Sequence, residues 1–153
     1  MQSLAEVIKK TTGKDITNYP GAGAAGGMGG GLLAFFNAEL KPGTELLLKA
    51  IDFSEKIKGA DLIITGEGKA DRQTAMGKVP YGILKEAQKE HIPVIVLAGS
   101  IENLPELNKA GFKGIFSIAP GPITLEKAME PEFAKENITR LVSQLYSVIT
   151  SFG

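Results

Sequence analysis

The strongest constraint on this fold is a rhythm that sets in near residue 60. Three short apolar runs, Leu62-Ile63-Ile64, Pro93-Val94-Ile95-Val96-Leu97 and Gly114-Ile115-Phe116-Ser117-Ile118, alternate with segments whose apolar residues recur at helical spacing. Apolar runs without polar alternation suit strands covered on both faces, and strands joined by helical crossovers pair in parallel. The first crossover helix opens with Pro80 at a first helical position and carries Ile83, Leu84 and Ala87. The second begins at Asn103-Leu104-Pro105-Glu106, which reads as a capping box with Asn in the cap role, and stops at Gly111. Thr124 caps a last helical region, whose main helix carries a stripe of Ile138, Leu141, Val142, Leu145, Ile149 and Phe152.

Before residue 60 the pattern is helical and rich in glycine. Leu4, Val7, Ile8 and Thr11 share a helical spacing that Gly13 ends, and Tyr19-Pro20 resets the chain. Leu32, Leu33, Phe35 and Phe36 form the apolar end of a helix begun in the glycine stretch. Leu40-Lys41-Pro42-Gly43 reads as a turn, Glu45–Ile51 as a helix, and Phe53–Lys58 as a shorter one. The expected organisation is a single α/β unit over 1–153, with a helical, Gly-rich segment at 1–58 and a βαβαβα segment at 59–153. The fold class is three-layer α/β/α with a short, mostly parallel, Rossmann-like sheet. Three strands leave a thin sheet with open edges, and the chain begins with a helix where an α/β domain often begins with a strand. Both features predict an incomplete domain, a piece of something larger.

Composition excludes several classes of function. Seventeen basic side chains balance seventeen acidic ones, so no nucleic acid or anionic membrane is called for as partner. There is no cysteine, which removes disulfides and thiolate chemistry. The first ten residues lack a basic segment followed by an apolar one, and runs such as Ile92–Ala98 are far too short to span a bilayer. A cytoplasmic location is expected. His91 is the one histidine and reads as a turn residue, which leaves no multi-His metal site or His-based triad.

In open parallel sheets ligands bind beyond the carboxyl ends of the strands. Three segments are expected there: Gly66–Val79, Gly99–Asn103 and Ala119–Ile123. The first reads as a fourteen-residue polar link, well beyond the usual two to six residues of a βα loop. Its Gly66 and Gly68 allow backbone close to a ligand, and Glu67 and Asp71 could hold a divalent cation such as Mg²⁺. Lys78 stands just before a helix N-terminus, where backbone amides already favour an anion. Gln73 and Thr74 add neutral hydrogen-bonding groups, against the plainer reading of a solvated loop whose charges cancel. Gly21-Ala22-Gly23-Ala24-Ala25-Gly26 is formally GxGxxG but lacks a preceding apolar strand. It reads either as a small-residue helix start that lets backbones pack closely or as a weak ligand contact through Gly21 and Gly23. Ser100 could bond a ligand from the end of the second strand.

Pro20-Gly21-Ala22-Gly23-Ala24-Ala25-Gly26-Gly27, then Thr65-Gly66-Glu67-Gly68, Asp71, Gln73-Thr74, Gly77-Lys78 and Pro80, then Ala98-Gly99-Ser100 and Phe116-Ser117-Ile118 with Pro120-Gly121-Pro122, closely resemble the bacterial glycerate kinase family. The resemblance runs in order over essentially the whole chain, but family chains are much longer, and this sequence looks like their C-terminal portion. It implies phosphorylation of D-glycerate by ATP with Mg²⁺, in a cleft between two α/β domains, by a fragment inactive alone. In that reading Lys78 neutralises phosphate or the glycerate carboxylate, and Glu67 or Asp71 positions Mg²⁺ or accepts the proton of the attacking hydroxyl. Thr65, Gly66 and Gly68 shape the contact surface, and Gln73 or Thr74 orients substrate hydroxyls. The expected partners are D-glycerate and either the missing N-terminal kinase region or a second copy of the chain. The alternatives are a noncatalytic domain that binds a phosphorylated or carboxylated ligand, and an inert truncated product.

Overall fold

The computed structural model describes residues 2–36 and 38–151, with two compact units, Met1–Gly43 and Thr44–Gly153. In the first unit, α1 (Gln2–Thr12) and α2 (Ala24–Phe35) enclose a small core of Ala5, Ile8, Ile16, Ala22 and Ala34. The inward face of α1 is Ala5 and Ile8, while Leu4 and Val7 are exposed, so the expected stripe is turned on the helix. Gly13, at φ 74, ends α1 as expected, its N–H donating to the Lys9 carbonyl at 3.0 Å. Ala25, Gly26 and Gly27 take left-handed φ values of 49, 70 and 101, which kinks the start of α2. The glycines beyond the kink serve close packing: a Cβ on Gly29 would meet the Gly21 carbonyl oxygen at 2.5 Å, and one on Gly30 the Ile16 side chain at 2.6 Å.

The second unit runs α3 (Gly43–Ala50), α4 (Phe53–Lys56), β1 (Ile63–Ala70), a 3-10 helix (Arg72–Met76), α5 (Val79–Lys89), β2 (Val94–Ile101), α6 (Leu104–Ala110), β3 (Gly114–Ser117), α7 (Leu125–Ala128) and α8 (Pro131–Thr150). The strands form one parallel sheet in the order β1-β2-β3. This is the α/β, short-parallel-sheet class expected from the sequence. Although α3 and α4 read as part of the N-terminal segment, they pack in this unit. Ser54 donates to Glu86 of α5 at 2.7 Å, and Ile57 joins the core of Leu84, Ala87, Val94, Val96, Ala98, Leu107 and Phe112. Pro80 lies in the first turn of α5, Gly111 ends α6 at φ 116, and the Thr124 side chain accepts the Lys127 N–H.

Three expectations need correction. Asn103 precedes α6 in a left-handed conformation, φ 53, with no side-chain cap bond, so no capping box forms there. Asn tolerates that conformation better than most residues, and the chain uses it to enter the helix. On α8, Leu141, Val142 and Leu145 are half-buried while Ile138 and Ile149 are exposed, and Phe152 lies outside the described residues. β2 is covered along Val94–Ala98, but Ile64 of β1 is 44% exposed, so β1 is not covered on both faces. No helix among the described residues is long and apolar enough to cross a membrane.

Leu84 is 2% exposed at the centre of the core, whereas Leu125 is 78% exposed. Leu84→Ala should lower unfolding stability by about 3 kcal/mol in urea denaturation, and Leu125→Ala should change it by less than about 0.5 kcal/mol. Equal effects would place the core elsewhere.

Candidate functional site

The polar segment after the first apolar run is mostly not a loop. β1 continues through Gly66-Glu67-Gly68-Lys69-Ala70, paired with β2 from Ile63 opposite Val94 to Ala70 opposite Ile101. The connection to α5 is therefore residues 71–78, most of it the 3-10 helix, and not the fourteen-residue link expected. β2 likewise extends to Ile101, so Gly99 and Ser100 are strand residues. The glycines explain the extension. A Cβ on Gly99 would lie 2.8 Å from the Gly68 carbonyl oxygen, so the two strands approach here as only a residue without a side chain permits. Exposure alternates along the first part of β1: Thr65 is buried and Glu67 half-buried, while Ile64, Gly66 and Gly68 between and beside them are exposed.

Glu67 thus faces the covered side of β1, where Asp71, Thr74 and Lys78 from the segment after the strand meet it. Asp71 caps the 3-10 helix: its Oδ1 accepts the N–H of Gln73 at 2.9 Å and of Thr74 at 3.3 Å. The Thr74 hydroxyl accepts the Asp71 N–H at 2.9 Å, closing a capping box, and donates its hydrogen to the Glu67 carboxylate. Lys78, at the N-cap of α5, reaches back to Asp71 Oδ1 at 3.0 Å, Glu67 Oε2 at 3.6 Å and the Lys69 carbonyl at 3.4 Å. The side chains are 13% (Glu67), 21% (Asp71) and 34% (Lys78) exposed, which places the triplet in a partly desolvated recess and not in bulk water.

The charges support one another. The hydrogen bond from Lys78 holds the Asp71 carboxyl below its ordinary range, and the N–H groups of Gln73 and Thr74 push the same way. The hydrogen bond to Asp71 raises the Lys78 ammonium, and the Glu67 charge adds to it. Lys78 is therefore firmly protonated at neutral pH. As a magnesium cage the arrangement does not fit. Mg²⁺ needs near-octahedral oxygen ligands, and the ammonium already stands against both carboxylates that would supply them. No group of three His, Cys, Asp or Glu side chains converges among the described residues.

The structure thus brings together Glu67, Asp71, Thr74 and Lys78 of the residues singled out in the sequence. The Thr74 side chain is fully buried and its hydroxyl engaged, so it does not meet a substrate hydroxyl as expected. Thr65, 8% exposed, is also too covered to form contact surface. Gly66, Gly68, Gln73 and Ser100 are exposed. Gly21 and Gly23 are exposed residues of the first unit. A separate small recess beside the ends of β2 and β3 is lined by Gly99, Ile118, Ala119, Ile123, Phe133 and Asn137 among others. Asn137 donates to the Phe133 carbonyl at 2.8 Å and accepts from Arg140, so that recess offers no free reactive group. Thr74 as the link between the two acids was missed in the sequence. No local signal marked it, because the glycines at 66 and 68 disfavour a strand until its pairing partner is known.

The pH dependence follows from the depressed Asp71 carboxyl. Its contribution to stability is complete above the ordinary value of 3.8 and is lost as pH falls through the lower folded value. Asp71→Asn should therefore flatten the fall in stability as pH drops below about 4, followed by chemical denaturation. A variant whose acid limb is as steep as that of the wild type would show that Asp71 gains nothing from these donors.

A sequence model of the Glycerate kinase family matches residues 1–150. Glycerate kinase of Halalkalibacterium halodurans is 45% identical over 83% of this chain and 34% of its own length. For glycerate kinase of Bacillus cereus the figures are 41%, 97% and 39%, and for glycerate 2-kinase of Escherichia coli 44%, 92% and 36%. A solved structure assigned as glycerate kinase 2 from Salmonella typhimurium LT2 superposes with a TM-score of 0.71 at 35% identity, over 98% of this chain and 38% of that one. The chain spans between 34% and 39% of the length of these relatives. Similarity of this extent, carried by sequence and fold alike, makes the chain a member of the glycerate kinase family.

Proposed function

We propose that this chain forms one wall of a D-glycerate kinase cleft, used in ATP-dependent phosphorylation of D-glycerate to a phosphoglycerate, and that it does not turn over alone. The observation that carries this reading is the Lys78 ammonium, held by Asp71 and Glu67 at the carboxyl end of β1. Phosphoryl transfer asks for positioned charge more than for covalent chemistry. Lys78 meets the phosphate or the glycerate carboxylate, an anion taking the place of one of its two carboxylate partners. The carboxylate so released, Glu67 or Asp71, is then placed to accept the proton of the attacking hydroxyl. Exposed Gly66 and Gly68 form the floor against which the ligand lies, and the exposed Gln73 amide orients a substrate hydroxyl. Mg²⁺ would be carried on the nucleotide phosphates, because the Lys78 ammonium standing beside both carboxylates disfavours a cation between them. The opposite wall comes from the remainder of such a kinase, or from a second copy of the chain. A cytoplasmic setting goes with a reaction that consumes ATP.

The test combines binding with turnover. D-Glycerate, and separately ATP with Mg²⁺, should shift backbone NMR resonances at Glu67, Asp71, Gln73 and Lys78, and Lys78→Ala should abolish those shifts. A coupled assay of the chain with both substrates should detect no phosphoglycerate. Turnover that Lys78→Ala or Asp71→Ala removes would sink the claim that the chain is inactive alone. Absence of any shift would sink the binding role and leave an inert product, whereas binding of other phosphates or carboxylates in preference to D-glycerate would favour a noncatalytic ligand-binding domain.

A further inference from the structure

We propose that Thr74 is a positioning residue that ties Glu67 to Asp71, so that both carboxylates face Lys78 in one arrangement. The inference rests on reading this cluster as the kinase site, and it gives Thr74 a role there other than contact with substrate.

A threonine hydroxyl has a single hydrogen to give and lone pairs to receive. In this structure the oxygen receives the Asp71 N–H at 2.9 Å, and the hydrogen goes to the Glu67 carboxylate. The Thr74 backbone N–H also donates to Asp71 Oδ1 at 3.3 Å. One residue therefore touches both acids, through side chain and backbone together. A helix cap accounts for the bonds between Thr74 and Asp71, but not for the hydrogen directed at Glu67, which belongs to a different element, β1. Thr74 is fully buried, so water does not compete for that hydrogen.

Distances then assign the order of dependence. Glu67 Oε2 lies 3.6 Å from Lys78 Nζ, a contact of charges beyond hydrogen-bond distance, while Asp71 Oδ1 is at 3.0 Å. A carboxylate only 13% exposed takes the direction its donors impose, and Thr74 is the donor that directs Glu67. Without that hydroxyl, Glu67 is free to turn toward solvent, and Lys78 keeps one anchor in place of two.

The experiment uses the chain with lysine labelled at the side-chain nitrogen and reads hydrogen exchange of the Lys78 ammonium at neutral pH. Thr74→Val keeps the shape and removes the hydroxyl; exchange should become about tenfold faster, the effect of losing one charge-assisted restraint. Thr74→Ser restores the hydroxyl and should exchange as the wild type does. Unchanged amide spectra over Val94–Ala98 would verify that the sheet is intact in both. Wild-type exchange in a folded Thr74→Val chain would overturn the proposal, as would a Ser variant that behaves like Val. Should Val at this position prevent folding, Glu67→Ala supplies the second measurement. It should speed exchange of the Asp71 amide hydrogen, which Glu67 does not touch, and an unchanged rate there would refute the coupling. None of these readouts involves substrate. A chain that binds neither D-glycerate nor ATP but shows these exchange rates would refute the kinase role while leaving the positioning role in place.

Discussion

Parallel pairing between β1 and β2 is the constraint from which the site hangs. It runs from Ile63 opposite Val94 to Ala70 opposite Ile101 and carries the strand through a stretch containing two glycines. Glycine disfavours a strand by itself, so the pairing has to supply what local preference withholds. It does so because β2 is buried along Val94–Ala98 and is itself held by α5 and α6 through Leu84 and Leu107. A strand anchored on one side by such a core keeps Glu67 opposite Ala98, and that register aims the carboxylate at Thr74. Slippage by one residue would turn Glu67 to the exposed side and put a glycine in its place.

The cluster also illustrates how an ion pair becomes useful without contributing much to stability. Fully exposed pairs such as Lys58 with Glu55 are screened and worth little. Full burial would charge both partners a desolvation cost of several kcal/mol. Glu67, Asp71 and Lys78 lie between these limits, and each acid receives at least one hydrogen bond from a neutral donor: the Thr74 hydroxyl for Glu67, and the N–H groups of Gln73 and Thr74 for Asp71. Those donors make a net negative triplet tolerable in a recess. They also leave Lys78 able to change partners, since neither acid depends on it alone.

Much of this was legible in the residues. Apolar runs without polar alternation identified β2 and β3, and Gly111 and Thr124 marked helix ends, whereas the close packing read into Gly21–Gly26 falls mainly on Gly29 and Gly30. The length of β1 was not legible from propensity, because glycine at 66 and 68 reads as a break until a partner strand is known. That single misjudgement made a strand and a short 3-10 helix look like one long loop. Burial was misread in the same region: Ile64 looked like a residue covered on both faces, and a narrow sheet leaves it open. Thr74 and Gln73 were indistinguishable as polar residues in sequence. Only the turn at Asp71 separates them, sending one side chain inward to the acids and the other outward.

Viewed along the chain, Lys78 returns to Glu67 and Asp71 and shuts residues 67–78 into a ring. A protein with cysteine could close such a ring covalently and hold it permanently. This chain has no cysteine, and its closure is a clasp of charge. Such a clasp restrains the backbone around the site, yet it opens without any covalent bond being broken, under high salt or when a competing anion arrives. Under the proposed function, the ammonium that orders the two acids is also the group that a negatively charged ligand would recruit, so arrival of the ligand and loosening of the ring would be one event.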